Sequence, residues 1–136
     1  MILFIDDEQR YMDAYRQELE IAGHDVSFVN DVDAAAEFLD AHADSIRLVI
    51  LDLMMPPGHT FRGEDTREGL LTGVRFYERI RKRTLRLPVI IFTNISDEEV
   101  LARFEAETHC WFLHKSDVFP YELAERVKDI LASGSL

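Results

Sequence analysis

Five polar residues stand directly beyond short apolar runs of this sequence. Asp6 and Asp7 follow ILFI, Asp52 follows LVIL, Thr93 follows VIIF, and Lys115 lies just past CWFL. In an open parallel sheet the functional crevice lies beyond the carboxyl ends of the strands. If those runs are strands, three carboxylates, a hydroxyl and an ammonium converge on one edge. Taken singly, each has an ordinary reading: Asp6 as a helix cap, Thr93 as a turn hydroxyl, Lys115 as a solvated cation. Their joint occurrence is what points to chemistry. Carboxylates held within ~4–6 Å of one another repel unless a cation sits among them. A hard divalent ion answers that, and Mg²⁺ fits better than Ca²⁺, because few carboxylates are available and Mg²⁺ keeps waters and favours phosphate oxygens. Zinc fits poorly: the histidines are scattered, and the single cysteine, Cys110, has no partner at ligand spacing. A Mg²⁺ site beside an accessible carboxylate implies phosphoryl transfer to that carboxylate, with metal and ammonium neutralising the equatorial oxygens.

The positioning elements follow from the hydrophobic pattern. Residues 2–5, 26–29, 48–51, 89–92 and 110–113 read as strands, the uninterrupted apolar runs among them as strands covered on both faces. Between them lie amphipathic segments: Gln9 to Ala22 with Met12, Tyr15, Leu19 and Ala22 inward, and a helix capped by Asp31 with Ala35, Phe38 and Leu39 inward. Then come Gly73 to Thr84 with Val74, Tyr77 and Ile80 inward, and a helix to about Glu107 capped by Ser96 with Glu99 completing a capping box. A last helix follows Pro120 with Leu123, Val127, Ile130 and Leu131 on one face. Five strands alternating with five helices imply right-handed crossovers and an α/β, doubly wound five-stranded parallel sheet. One connection is anomalous. Residues 53–72 form a loop far longer than the ~2–6 residues usual in such units. Charged and glycine-bearing, it is expected to lie outside the core.

Composition bounds the rest. The 136 residues, 47% of them apolar, suit one domain over 1–136 with a single core. Asp and Glu total 26 against 15 Lys and Arg, a net charge of −11, which argues against direct nucleic-acid binding and against an anionic membrane surface. No apolar run reaches the ~20 residues of a membrane span, and MILFIDDE lacks a basic leader. The lone Cys110, read as a small core residue, fits a reducing cytoplasm.

FIDDE, LVILDLMMP, GVRFYERIR, VIIFTN and WFLHK occur in order, with the matching strands and helices between them. Over essentially its whole length the chain thereby resembles the receiver domains of two-component signal transduction, the response-regulator family. That resemblance implies a flavodoxin-like strand order 2-1-3-4-5. It makes Asp52 the phosphoacceptor, served by a phosphohistidine on a histidine kinase or histidine phosphotransfer protein. It implies Mg²⁺ on Asp7, Asp52 and the backbone carbonyl of Met54, with Asp6 acting through water. Thr93 becomes the switch hydroxyl, Lys115 the partner of the phosphoryl oxygens, and Phe112 either the aromatic switch residue or a plain core aromatic. Helix four, strand five and helix five, with Phe104, Trp111, Phe112 and Tyr121, correspond to the family's output and homodimer face toward a downstream protein. The chain would catalyse only its own phosphorylation and dephosphorylation.

The sequence departs from the family in two places. Ser116 stands where proline usually follows the lysine, so a trans bond is expected there. The extended loop is either a tolerated insertion or a lid or partner segment using His59, Arg62 or Arg67; trimming residues 58–70 is expected to spare the fold. Met54 and Ile95, flanking the site, are both apolar and cannot orient a hydrolytic water, which implies slow self-dephosphorylation. LASGSL directly after the last helix gives the expectation of a stand-alone switch. Other readings are a degenerate, unphosphorylated interaction module and an aspartyl-phosphate phosphatase. The latter family needs a second aspartate where this chain has Met54, and a histidine phosphotransfer protein would need an all-helical pattern.

Overall fold

The computed structural model describes residues 1–134; Ser135 and Leu136, the last residues of the expected 1–136 domain, lie outside the described residues. The chain alternates β1 (Ile2–Ile5), α1 (Gln9–Ile21), β2 (Val26–Val29), α2 (Val32–His42), β3 (Leu48–Leu51), α3 (Thr72–Arg83), β4 (Val89–Thr93), α4 (Glu98–Glu105), β5 (Cys110–His114) and α5 (Pro120–Gly134). All strand pairs are parallel and the order is β2-β1-β3-β4-β5, as the resemblance implied.

Strand alternation sorts the core into two layers. Leu3, Ile5, Val49, Leu51, Val89 and Ile91 face α2, α3 and α4, meeting Leu39, Tyr77, Ile80 and Phe104. Ile2, Phe4, Leu48, Ile50, Ile90 and Phe92 face α1 and α5, meeting Met12, Leu19, Leu123 and Val127. The three central strands are buried throughout, which is why they read as unbroken apolar runs, whereas edge strands β2 and β5 are only half-buried.

Four expectations are corrected. Ala22 lies past the end of α1 and is exposed. Asp97, not Ser96, caps α4: its backbone is extended, and its carboxylate accepts from the Glu99 and Val100 N–H groups, where a full negative charge also meets the helix's positive end. Cys110 is half-buried rather than fully enclosed, and burial pushes its thiol up to about 11, leaving it protonated and unreactive at neutral pH.

The fourth concerns the long loop, which lies outside the core only in part. Leu53, Met55 and Phe61 are buried in the α2–α3–α4 core layer, and Thr66 is buried as well. Thr66 accepts from the Gly69 N–H through its side chain and from the Leu71 N–H through its carbonyl, while Met55 N–H donates to the Gly69 carbonyl. At its near end the Asp33 carboxylate takes the His59 and Thr60 N–H groups and the Thr60 hydroxyl. Those bonds, the His59 N–H first, hold the Asp33 carboxyl down at about 2. Trimming residues 58–70 would therefore take Phe61 out of the core, so the fold is not expected to be spared.

Candidate functional site

The ladder runs one residue past β1 and β3. The Asp6 N–H donates to the Val29 carbonyl and the Asp52 N–H to the Ile5 carbonyl, each at 3.1 Å, which sets Asp6 and Asp52 side by side at the sheet's carboxyl edge. Because Thr93 pairs with His114 in register, Lys115 enters the same edge from β5. Asp6, Asp52, Thr93 and Lys115 are all buried, whereas Asp7 is exposed.

Asp52 is held from both sides. Its Oδ1 accepts from the Leu53 N–H at 2.7 Å and more weakly from the Met54 N–H at 3.5 Å; its Oδ2 accepts from Lys115 Nζ at 3.2 Å. The same ammonium lies 2.8 Å from the buried Asp6 Oδ2, so one cation is shared between the two carboxylates. Asp6 Oδ1 accepts from the Glu8 N–H at 2.8 Å, which turns the chain into α1; the capping reading of Asp6 is thus part of its role.

The electrostatics follow from burial. Desolvation, helped by the neighbouring Asp52 charge, pushes the Asp6 carboxyl up to about 6, although Lys115 and the Glu8 N–H pull against it. Asp7 is raised for the same two reasons in the same order. Burial opposes the Lys115 ammonium, but the charges of Asp52 and Asp6 outweigh it and hold its pKa above the ordinary value.

Asp6, Asp7, Glu8 and Asp52 each bring a carboxylate oxygen to within 4.8 Å of the others. With a single ammonium set against four carboxylates, the oxygen-rich, negatively charged set fits a hard divalent cation. Glu8 went unassigned in the sequence although it directly follows the two aspartates in FIDDE; the acidic run itself was the signal.

The other predicted residues are distributed as follows. Thr93 Oγ1 accepts from the Ile95 N–H at 3.3 Å and bonds no site carboxylate among the described residues. Ile95 is buried, while Met54 is 46% exposed on the rim. Phe112 is half-buried on the α4 side, its ring 6.0 Å from that of Phe104. Phe104 itself is core; the large apolar side chains exposed on α4, on α5 and just before α5 are Leu101, Tyr121 and Phe119, the last two stacked. Of the loop residues, Arg62 pairs with the His59 ring, and the His59 backbone is tied to Asp33 at the start of α2. Neither reaches the acidic cluster. Arg67 does line a cleft together with Asp7.

The Lys115–Ser116 bond is trans, and a 3-10 turn spans Lys115–Asp117. His114, which the sequence places between the last expected strand and Lys115 without marking it as functional, shapes this turn. Its Nδ1 accepts from the Ser116 N–H, while its Nε2 lies 3.0 Å from the Asn94 carbonyl, the contact that assigns the Nε2–H tautomer. The imidazole thereby ties the loop after Thr93 to the loop after Lys115.

The family model of the response regulator receiver domain matches residues 2–128. Among solved structures, the chain is similar to a CheY-like response regulator receiver domain protein from Methanospirillum hungatei JF-1, with 21% identity and a TM-score of 0.76 over 98% of this chain and 94% of that one. A response regulator receiver domain protein from Clostridium thermocellum shares 26% identity and a TM-score of 0.75, over 98% and 95% of the two chains. The receiver domain of the hybrid histidine kinase CckA shares 27% identity with a TM-score of 0.69, over 96% and 97%. No curated protein matches. With that match spanning nearly its whole length, and with the strand order and acidic edge described above, the chain belongs to the response regulator receiver domains of two-component signalling.

Proposed function

We propose that the chain is a phospho-acceptor switch in which Asp52 receives a phosphoryl group from a phosphohistidine on a histidine kinase or histidine phosphotransfer protein. The observation that carries this reading is the clamped Asp52 carboxylate, one oxygen on the Leu53 N–H and the other on the Lys115 ammonium, inside a four-carboxylate edge. In the step, a carboxylate oxygen of Asp52 bonds to phosphorus as the P–N bond breaks. The electron pair leaves with the imidazole, and the aspartate becomes an acyl phosphate.

Asp6, Asp7 and Asp52, with the Met54 carbonyl and Glu8 beside them, are the groups that would hold Mg²⁺, which supplies positive charge for the phosphoryl oxygens when bound. The chain's own residues do the rest. The backbone N–H of Leu53 orients the nucleophile, and Lys115, already drawn to Asp52, is placed to follow the new charge onto a phosphoryl oxygen. Phosphorylation adds roughly −1.5 to −2 charge. Thr93 would answer by giving up the Ile95 N–H and turning toward it, carrying the β4–α4 loop with it and freeing Phe112 to settle inward. The output is contact with a downstream protein, or with a second copy, through α4, β5 and α5, where Phe119 and Tyr121 are exposed. Beyond its own phosphorylation and dephosphorylation the chain turns over no substrate, and the cytoplasm is where it would meet its donor. Among the described residues no helix is long and apolar enough to cross a membrane.

Incubation with Mg²⁺ and acetyl phosphate is expected to add the mass of one phosphate, and Asp52→Asn to add none. An unchanged wild-type mass would support the degenerate module instead, and repeated turnover of a phosphate ester the phosphatase. A further expectation concerns lifetime. Met54 rims the site without a group to orient water, so Met54→Asn should speed dephosphorylation by about tenfold, less than the ~10²–10⁴ of a full general base because an amide orients water without taking its proton. Following the decay of the phosphorylated mass after donor removal checks it, and an unchanged decay rate would exclude this role for residue 54.

A further inference from the structure

We infer that Arg67 is a specificity residue for the anionic phosphodonor, presented over the acceptor site by a loop built to hold it there. The inference rests on the phospho-acceptor reading above and adds to it the residue that receives the donor. Three observations converge. First, the loop is pre-organised: Asp33 fixes residues 59 and 60, Phe61 and Met55 are buried, and Gly69 packs so tightly that a Cβ would lie 2.8 Å from the Met55 carbonyl oxygen. A segment anchored in this way loses little further freedom on meeting a ligand. Second, the loop holds strain at one spot. Arg67 and Glu68 both adopt positive φ, at 50° and 59°, directly before Gly69 at 92°. Left-handed conformations cost a non-glycine residue free energy, and such residues persist where the surroundings over-determine them, characteristically at functional sites.

Third, the charge is where the reaction needs it. A cleft of about 550 Å³ is lined by Asp7, Met54, Pro56, Arg67, Glu68 and Leu70, among others. Arg67 is the one cation of that lining, and its guanidinium has no hydrogen bond or ion pair among the described residues. Many of the chain's other arginines are committed: Arg75 to Glu78, Arg79 and Arg83 to Asp40, and Arg81 to Tyr77 and backbone carbonyls. A phosphoryl dianion approaching this edge meets Asp6, Asp7, Glu8 and Asp52, with Lys115 buried beneath them. An unpaired guanidinium on the cleft wall offsets that repulsion and offers a planar fork of donors to phosphate oxygens. Of the three loop residues singled out, His59, Arg62 and Arg67, Arg67 alone lines this cleft.

The test separates binding from transfer. Asp52→Asn protein is titrated with inorganic phosphate in the presence of Mg²⁺ and followed by the backbone amide signals of Asp7, Met54 and Gly69. Saturable shifts are expected, weakened three- to tenfold in affinity by an added Arg67→Gln and largely restored by Arg67→Lys, the range a rim charge commands. Transfer is then measured with acetyl phosphate and with free phosphohistidine as donors. Arg67→Gln should raise the donor concentration for half-maximal rate by the same factor, leave the maximal rate within twofold, and flatten the salt dependence. An effect on both donors assigns the contact to the phosphoryl group; an effect on phosphohistidine alone assigns it to the histidine carrier. Phosphate titration and both half-maximal concentrations unchanged in Arg67→Gln would overturn the inference while the wild-type mass gain still stood. Failure of wild-type phosphorylation would instead remove the reading it rests on.

Discussion

Gly73→Ala is expected to cut phosphate incorporation at Asp52 by about a hundredfold or more and to destabilise the fold by about 3 kcal/mol or more, although residue 73 carries no functional group. Gly73 sits in the first turn of α3 and donates its N–H to the Leu53 carbonyl at 2.9 Å. A Cβ there would lie 2.2 Å from the Asp52 carbonyl oxygen and 2.5 Å from the Leu53 Cα. Both neighbours are backbone, so no side chain can swing aside; either α3 or the end of β3 must move. Moving the end of β3 misplaces the Leu53 N–H that holds the Asp52 carboxylate at 2.7 Å, together with Met54 on the site's rim. A near-attack geometry tolerates little such displacement. The loss in melting temperature should be roughly 10 °C for a chain of this size. Phosphorylation, assayed at a temperature where the variant remains folded, should fall more than a hundredfold. Wild-type melting and wild-type phosphorylation in Gly73→Ala would show that the helix and strand separate freely, and that this close approach does not set the site.

That dependence on a glycine shows why part of the site was legible in the sequence and part was not. The acceptor edge could be read because buried parallel strands declare themselves as apolar runs, and the first polar residue after each run marks the edge. Asp6, Asp52 and Thr93 are legible in that way and Lys115 one residue further on, and the structure brings the last two to the same edge through the β4–β5 register. What escaped depends on contacts between residues distant in sequence, which leave no local period. Asp33 reads as an ordinary residue in the first turn of a helix, yet it anchors residues 59 and 60 across the molecule. Phe61 reads as one aromatic in a polar loop, yet it fills a core position. His114 reads as a spacer between the last strand and Lys115, yet its ring links the two loops that phosphorylation would move. The α4 cap is ambiguous for a different reason: Ser96 and Asp97 are both good caps and adjacent, so nothing local separates them; in the structure Asp97 caps the helix while the Ser96 hydroxyl lies 3.2 Å from His114 Nε2.

Asp6→Asn is expected to make the metal-free protein more stable at neutral pH, the reverse of what removing a buried ion pair usually does. The Asp6 carboxyl titrates near 3.8 in an unfolded chain and at about 6 in the fold, raised first by burial and then by the charge of Asp52. A raised acid binds its proton more tightly when folded, so between those two values the folded state holds more protons and stability falls as pH rises. Below 3.8 both states are protonated and the penalty is absent; above about 6 it is fully present. The span corresponds to an upper limit of about 3 kcal/mol. Asn keeps the oxygen that accepts from the Glu8 N–H, and Lys115 keeps Asp52, so the substitution removes the unfavourable charge at small structural cost. Thermal melts without divalent ions should show Asp6→Asn about 1–2 kcal/mol more stable than wild type at pH 7.5 and equal to it below pH 4. Adding Mg²⁺ should raise the wild-type melting temperature more than that of the variant, because the cation neutralises the charge the variant already lacks. Should Asp6→Asn instead melt below wild type at pH 7.5, the 2.8 Å contact with Lys115 would outweigh the cost of burial, and the acidic edge would be a stabilising ion network rather than a site strained in wait of a cation.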